Sequence, residues 1–130
     1  EEYYMAGKTI RLETETIPYS LTIKADKKYV EQILINLVKN AIEALDENTQ
    51  GLIKLKAYKE NSSTILQVSD NGHGIPKEEM DRIFIPFYTT KEEGSGIGLS
   101  LSRQIMLMHG GSISVNSQPG ALTTFSLVFR

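Results

Sequence analysis

The segment from Asp26 to about Asp46 constrains the fold most strongly, because it is suited to a single long amphipathic helix. Its apolar residues recur with a period near 3.6, and they are Val30, Ile33, Leu34, Leu37, Val38, Ala41 and Leu45. Asp26 suits the N-cap position, since its carboxylate can accept a hydrogen bond from a free N–H of the first turn. An apolar stripe of this length has to be covered by a sheet or by another helix.

A polar stripe lies on the opposite face of this predicted helix. It contains Gln32, Asn36, Asn40, Glu43 and Glu47. Asparagine is unfavourable inside a helix because its amide competes with the backbone for hydrogen bonds. A solvated surface explains the stripe taken alone, whereas the glycine-rich segments described below favour a functional role.

Short strands are predicted on both sides of that helix from apolar–polar alternation and turn residues. They are Lys8 to Thr16, Leu21 to Ile23, Leu52 to Tyr58, Thr64 to Ser69, Ile113 to Asn116 and Thr124 to Phe129. Strand pairs joined by short turns indicate a mixed, mostly antiparallel sheet with the helices on one face. The predicted fold class is therefore an α+β two-layer sandwich rather than a doubly wound parallel sheet.

Two further helices are predicted. A short helix begins after Pro76, and a longer one runs from about Gly96 to His109, where two glycines end it. The residues that the longer helix should bury are Ile97, Leu101, Ile105 and Met108.

Length and composition limit the class of protein. The chain has 130 residues, a net charge of −2 and no cysteine, so residues 1–130 are expected to form one domain. The lack of a basic tract disfavours nucleic acid as a partner, and the lack of cysteine excludes disulfides and cysteine-ligated zinc. No apolar run approaches the roughly 20 residues of a membrane span, and no signal peptide is visible. The start at Glu1 rather than methionine suggests a piece of a longer parent.

Two glycine-containing segments point to a nucleotide pocket. Asp70 to Ile75 follows a predicted strand, and Gly94 to Leu99 leads into a helix. A carboxylate can accept a hydrogen bond from the amino group of a base, and glycines let the backbone approach closely. The free N–H groups and the dipole at a helix start attract phosphate.

Each glycine segment also has a simpler explanation. Asn71-Gly72 could be a type I′ hairpin turn, but Gly74 extends the motif beyond a two-residue turn. The segment 94–98 could be a flexible linker, but it runs directly into helical periodicity. Neither the dinucleotide fingerprint nor a Walker A sequence is present. It is the combination with the asparagine stripe that predicts the pocket.

Four segments, in this order, resemble the N, G1, F and G2 boxes of sensor histidine kinases. They are Asn36 to Ala41, Asp70 to Gly74, Phe84 to Tyr88 and Gly94 to Leu99. Gly120 to Phe125 is similar to the family's final Gly-x-Gly-Thr-x-Phe segment, with Leu122 in place of the second glycine. The resemblance covers nearly the whole chain and implies the Bergerat ATP-binding fold of the GHKL superfamily, which type II topoisomerases share.

The resemblance implies roles for residues at both ends of the pocket. Asn40 would be the Mg²⁺ ligand, with Asn36 beside it near the phosphates; an amide oxygen with phosphate oxygens and waters suits this cation. Asp70 would accept from the adenine amino group, alongside a water held by Thr123. The remaining implied contacts are Gly72, Gly74, Ile75, Gly94, Ser95, Gly96, Ile97, Gly98 and Leu99.

A mobile ATP lid is implied for about Phe87 to Ser95. Its candidate nucleotide contacts are Tyr88, Thr89, Thr90 and Lys91. Lys91 could neutralise a γ-phosphate, and a solvated lysine explains it equally well. Glu43 and Ala44 stand where many of these kinases carry a basic residue and an aromatic one. With the short lid, this departure resembles the nitrogen-regulation-like subgroup.

The class of reaction is predicted from Asn36. Topoisomerase-type ATPases and anti-sigma serine kinases of the superfamily carry a glutamate there to activate water or a hydroxyl, whereas an amide cannot accept a proton at neutral pH. An incoming imidazole needs less activation. We therefore predict transfer of the γ-phosphate to a histidine on a separate dimerisation domain, because neither His73 nor His109 has a phosphoacceptor context.

The resemblance also implies the setting of this domain. The parent is expected to be a homodimeric two-component sensor kinase that acts on a response regulator. This domain is expected to be cytoplasmic, and the parent could be anchored in the inner membrane. The alternatives are a non-catalytic nucleotide-sensing module and a GHKL-type ATPase or serine kinase.

Overall fold

A computed structural model describes residues 1–5, 7–17, 21–47, 50–88, 98–118 and 120–130. The strands are β1 (Glu2–Met5), β2 (Lys8–Ile17), β3 (Gly51–Glu60), β4 (Ser63–Asp70), β5 (Ser112–Asn116) and β6 (Thr123–Phe129). The helices are α1 (Lys27–Ala44), between β2 and β3, and α2 (Gly98–Met108), before β5; a 3₁₀ turn spans Lys77–Glu79. Among the described helices, none is long and apolar enough to cross a membrane.

The described strands form one mixed sheet in the order β1-β2-β3-β4-β6-β5. Strands β2 and β3 are parallel, with Ile10 opposite Gly51, and every other neighbouring pair is antiparallel. A parallel pair needs a crossover connection, and α1 provides it. Both helices pack on the same face of the sheet. The predicted α+β two-layer sandwich is confirmed.

Helix α1 follows its sequence pattern closely. The Asp26 carboxylate accepts a hydrogen bond of 3.0 Å from the Lys28 N–H, as an N-cap does. The apolar stripe lies against the sheet and α2, with Ile33, Leu37, Ala41 and Leu45 buried. Removing this stripe from water is the main stabilisation of the helix, since propensity alone rarely holds 18 residues helical.

Two strand predictions differ from the structure. β1 was not predicted, and it pairs with β2 at the edge of the sheet. Leu21 to Ile23 forms no strand in the structure, where β2 is paired on its two sides with β1 and β3. Ile23 instead packs against the core on the approach to α1.

The buried face of α2 also differs from the prediction. Leu101 is 45% exposed and Met108 is 64% exposed, whereas Ser102, Ile105 and Met106 are buried. The Ser102 hydroxyl donates to the Gly98 carbonyl at 2.9 Å, so a small polar residue can face the core without an unsatisfied group. The predicted face is wrong by one residue at Leu101, and Ile97 lies outside the described residues.

Candidate functional site

Asp70 and Thr123 face each other at one end of the sheet. Asp70 is the last residue of β4, and the antiparallel register pairs it with Thr123, the first residue of β6. Their exposed fractions are only 4% and 3%. Residues 53 positions apart in the chain therefore form one small polar cluster beneath the loop that follows β4.

The electrostatic environment of Asp70 is unusual for a carboxylate. Burial raises the pKa of this group, and the Gly72 N–H and the nearby His73 side chain offset only part of that effect. One carboxylate oxygen accepts a 2.9 Å hydrogen bond from the Gly72 N–H. A carboxylate can accept several hydrogen bonds, so a ligand with a suitable N–H would stabilise its charged form.

The loop after β4 is pressed against the C-terminal end of α1. A Cβ atom at Gly72 would overlap the Ala44 carbonyl and lie 2.9 Å from the Ala44 Cβ. The His73 N–H donates to the Ala44 carbonyl oxygen at 3.0 Å. Glycine is required at position 72 by this close approach, which holds the predicted base-binding loop on the helix.

A second contact fixes the same loop from the other side. Gly74 has φ +80°, which favours glycine, and the Ile75 N–H donates to the Ser117 hydroxyl at 3.0 Å. That hydroxyl also bonds the Thr123 hydroxyl at 2.9 Å. Ser117 is buried. It was not predicted as a site residue, because nothing in the local sequence distinguishes it from any other serine that follows a strand.

The polar stripe of α1 reaches the start of α2. The Asn36 amide donates to the Gly98 carbonyl at 3.4 Å, and its oxygen accepts from the Gln32 amide at 3.1 Å. Asn40 is half-buried one turn further along the same face, on the way to Ala44 and the loop after β4. The stripe therefore connects the two predicted ends of the pocket.

The F-box segment is described as far as Tyr88. Phe84 packs edge-on against Phe125, with ring centroids 6.4 Å apart, whereas Phe87 has φ +68° and is 76% exposed. The Tyr88 hydroxyl donates to the Glu79 carboxylate at 2.9 Å, and this bond raises the pKa of Tyr88. Tyr88 is thus held against the 3₁₀ turn.

Part of the predicted site lies outside the described residues. This part consists of Thr89, Thr90, Lys91, Gly94, Ser95, Gly96 and Ile97. Leu99 and Ile75, the predicted apolar walls, are half-buried and pack against the core. At one end of the predicted pocket, the described residues bring together Asp70, Thr123 and the loop that follows β4. At the other end they bring together Asn36 and Gly98.

A family model described as histidine kinase-, DNA gyrase B- and HSP90-like ATPase matches residues 25–130. The chain is 37% identical over 118 residues to sporulation kinase D of Bacillus subtilis and 40% identical over 113 residues to sensor histidine kinase ZraS of Escherichia coli. These matches cover 88% and 87% of this chain and 23% of each relative. Identity to the nitrogen regulation protein NtrY of Azorhizobium caulinodans is 36% over 108 residues, covering 79% of this chain and 14% of that protein. The chain thus spans less than a quarter of the length of these relatives.

Solved structures of histidine kinases are also similar to this chain. The catalytic domain of histidine kinase ThkA is 38% identical with a TM-score of 0.82, covering 92% of this chain and 78% of that one. Full-length ShkA in complex with AMPPNP is 27% identical with a TM-score of 0.81, covering 92% and 25%. ThkA in complex with the response regulator TrrA is 36% identical with a TM-score of 0.77, covering 92% and 34%.

Proposed function

The chain belongs to the family of histidine kinase-, DNA gyrase B- and HSP90-like ATPases, and we propose that it binds Mg²⁺-ATP and presents the γ-phosphate to a histidine outside this chain. Within that family it is a histidine kinase catalytic domain. The observation that carries the proposal is the polar face of α1, which connects two recognition elements. At one end Asn36 contacts Gly98, and at the other the Ala44 carbonyl accepts from His73. A nucleotide has the two matching ends, a base near Asp70 and phosphates near the start of α2.

At the base end, the proposed acceptor of the adenine amino group is Asp70. A ligand without that donor would leave a buried carboxylate poorly solvated, so the site would favour adenine. The hydroxyl pair of Ser117 and Thr123 supports this role, since it lies under the same loop and could hold a water next to the base. Backbone and apolar contacts to the base are proposed for Gly72, Gly74, Ile75 and Leu99.

At the phosphate end, the proposed Mg²⁺ ligand is Asn40. Within the described part of the chain, no group of three or more His, Cys, Asp or Glu side chains could hold a metal ion. The fitting donor set is one amide oxygen with phosphate oxygens and waters, which Mg²⁺ accepts. Bound there, the ion would neutralise phosphate charge. The first turn of α2 would add backbone donors, with Asn36 beside them.

The proposed phosphoacceptor is a histidine on a separate dimerisation domain. Asn36 offers no general base to activate water, which favours an acceptor that is itself a nucleophile. Both histidines of the chain make backbone contacts that support this assignment. His73 Nδ1 bonds the Gly74 carbonyl at 2.7 Å, and His109 bridges Ile105 and Asp26 at 2.8 and 3.2 Å.

The proposed setting is a longer, homodimeric two-component sensor kinase in which this chain is one cytoplasmic domain. The small share of each relative that the chain spans supports a longer parent, and the ThkA complex supports a response regulator as partner. Similarity to NtrY and the alanine at position 44 support the nitrogen-regulation-like subgroup. Anchoring of the parent in the inner membrane belongs to the same proposal.

Calorimetric titration with ADP and AMPPNP, with and without Mg²⁺, tests the proposed function. We expect Mg²⁺ to strengthen binding, and Asn40→Ala to remove that gain while metal-free binding persists. Lys39→Ala changes an exposed residue at the neighbouring helix position and serves as the control. An equal Mg²⁺ effect in Asn40→Ala would contradict the ligand assignment, and a wild-type chain that binds neither nucleotide would contradict the function.

A further inference from the structure

Lys8 is a buried cation that the proposed mechanism does not yet use. It is the first residue of β2, and it is only 9% exposed. Its ammonium donates to two backbone carbonyls of α1, those of Ile42 at 2.8 Å and Glu43 at 3.4 Å. A lysine is rarely buried to this degree without a specific partner, and here the partner is the end of a helix.

The C-terminal end of α1 has an electrostatic need that Lys8 meets. The last carbonyls of a helix carry the negative end of the dipole, and most lack an intrahelical partner. Here the Leu45 N–H donates to the Ile42 carbonyl at 3.2 Å, and Lys8 gives that oxygen a second, charged donor. The last turn of α1 has no basic residue of its own, and Leu45 closes it in an extended conformation rather than the left-handed one of a glycine cap. Lys8 therefore supplies the cation from a neighbouring strand.

The same end of α1 supports the loop that carries Asp70. Directly after the two carbonyls that Lys8 binds, the Ala44 carbonyl accepts from the His73 N–H. Ala44 also leaves no room for a side chain at Gly72, whose N–H donates to Asp70. A continuous series of contacts thus runs from Lys8 through the last turn of α1 to the buried carboxylate.

We propose that Lys8 is a positioning residue for base recognition, which holds the end of α1 so that the loop after β4 orients Asp70. The inference rests on the proposed role of Asp70 in binding the adenine amino group. It predicts that loss of Lys8 impairs recognition of that amino group rather than nucleotide binding in general. A purely structural role would weaken the binding of all nucleotides alike.

The test compares two ligands, ADP and the diphosphate of purine riboside, in which hydrogen replaces the 6-amino group. For Lys8→Met we expect about a tenfold loss of affinity for ADP, the loss that follows when a hydrogen bond to a charged group is misplaced. Affinity for the analogue should change by less than about twofold, because it lacks the donor. Lys8→Arg keeps the charge and should restore part of the preference for ADP.

The matched control is Arg11→Met, which removes a positive charge from the same strand at an exposed position paired with Glu13. It should leave the preference for ADP unchanged. If Lys8→Met does not unfold cooperatively, the preference for ADP over the analogue is compared between Lys8→Gln and Lys8→Arg instead.

The outcomes separate this inference from the proposed function. If the wild type does not prefer ADP over the analogue, the role of Asp70 fails and the inference falls with it. If the wild type prefers ADP, and Asp70→Asn abolishes the preference while Lys8→Met retains it, the inference alone is overturned. An equal loss of affinity for both ligands in Lys8→Met would also overturn it.

Discussion

Asp70, at the end of β4 beside Thr123, is almost fully shielded from water. This burial disfavours the charged carboxylate and raises its pKa. Its carboxylate accepts a backbone hydrogen bond from the Gly72 N–H. Such an arrangement costs folding free energy, and a ligand that donates to the carboxylate would offset that cost. The consequences for binding and for pH dependence can be measured separately.

Asp70→Asn should weaken ADP binding by about 10- to 100-fold, because a hydrogen bond to a charged acceptor is lost. Stability should stay equal or rise slightly, since the amide carries no buried charge. Titration calorimetry and urea unfolding of the same samples check the two halves of this prediction. Unchanged ADP affinity in the variant would refute the adenine role.

The raised pKa of Asp70 also predicts a pH dependence. An acid with a higher pKa in the folded state binds its proton more tightly there, so its contribution to stability is fully present below the unfolded pKa. That contribution is lost as the pH rises through the folded pKa. Thermal unfolding measured from about pH 4, near the unfolded pKa of an aspartate, to higher pH should show this loss in the wild type and not in Asp70→Asn. The affinity for ADP should have the opposite pH dependence: it should decrease as the pH falls, because the carboxylate becomes protonated.

At the level of elements, α1 and α2 use their faces differently. In α1 the apolar stripe is buried and the asparagine stripe borders the proposed pocket. In α2 the buried face contains Ser102, Ile105 and Met106. The positions of these faces explain which substitutions should affect the fold and which the site.

Ile105→Ala should destabilise the domain by about 2–5 kcal/mol, because it opens a cavity in the core. Leu101→Ala should cost less than about 1 kcal/mol, since that side chain is 45% exposed. Urea unfolding of both variants checks the corrected face of α2. Similar losses for the two would favour the face predicted from sequence.

Gly72→Ala should destabilise the domain by about 1–3 kcal/mol and weaken ADP binding, because its methyl group would overlap the Ala44 carbonyl. The stability control is Gly98→Ala, whose Cβ would meet Asn36 at an ordinary 3.8 Å. Thermal unfolding of both proteins makes the comparison. A Gly72→Ala protein as stable as the control would contradict the close packing of this loop.

At the level of the whole molecule, sheet order brings the proposed site together. Strands β4 and β6 are neighbours, so Asp70 lies opposite Thr123. The crossover helix α1 places Asn36 and Asn40 beside the same proposed site. Positioning and charge neutralisation are what phosphoryl transfer requires. No group in this arrangement is proposed to activate water.

The isolated domain should therefore hydrolyse ATP slowly, and added dimerisation domain of the parent should accept labelled phosphate on histidine. A radiolabel transfer assay, with acid lability to identify phosphohistidine, measures both activities. The matched control is the dimerisation domain with its histidine replaced by alanine. Fast hydrolysis by this chain alone would favour an ATPase, and nucleotide binding without transfer would favour a sensing module.

Much of the fold and part of the candidate site were predictable because their signals are local. The 3.6-residue period of α1, its Asp26 cap and the alternation in β3 and β4 are properties of neighbouring residues. The glycine segments and the asparagine pair are equally local, so the family resemblance and the α+β class could be stated in advance.

Contacts between distant segments could not be predicted in this way. Ser117 joins Ile75 to Thr123, Lys8 caps a helix that ends 36 residues later, and β1 pairs with β2 at the edge of the sheet. Each depends on which strands become neighbours, and strand order follows from the packing of the whole chain. Local periodicity carries no information about that order, and only the folded protein reveals these contacts.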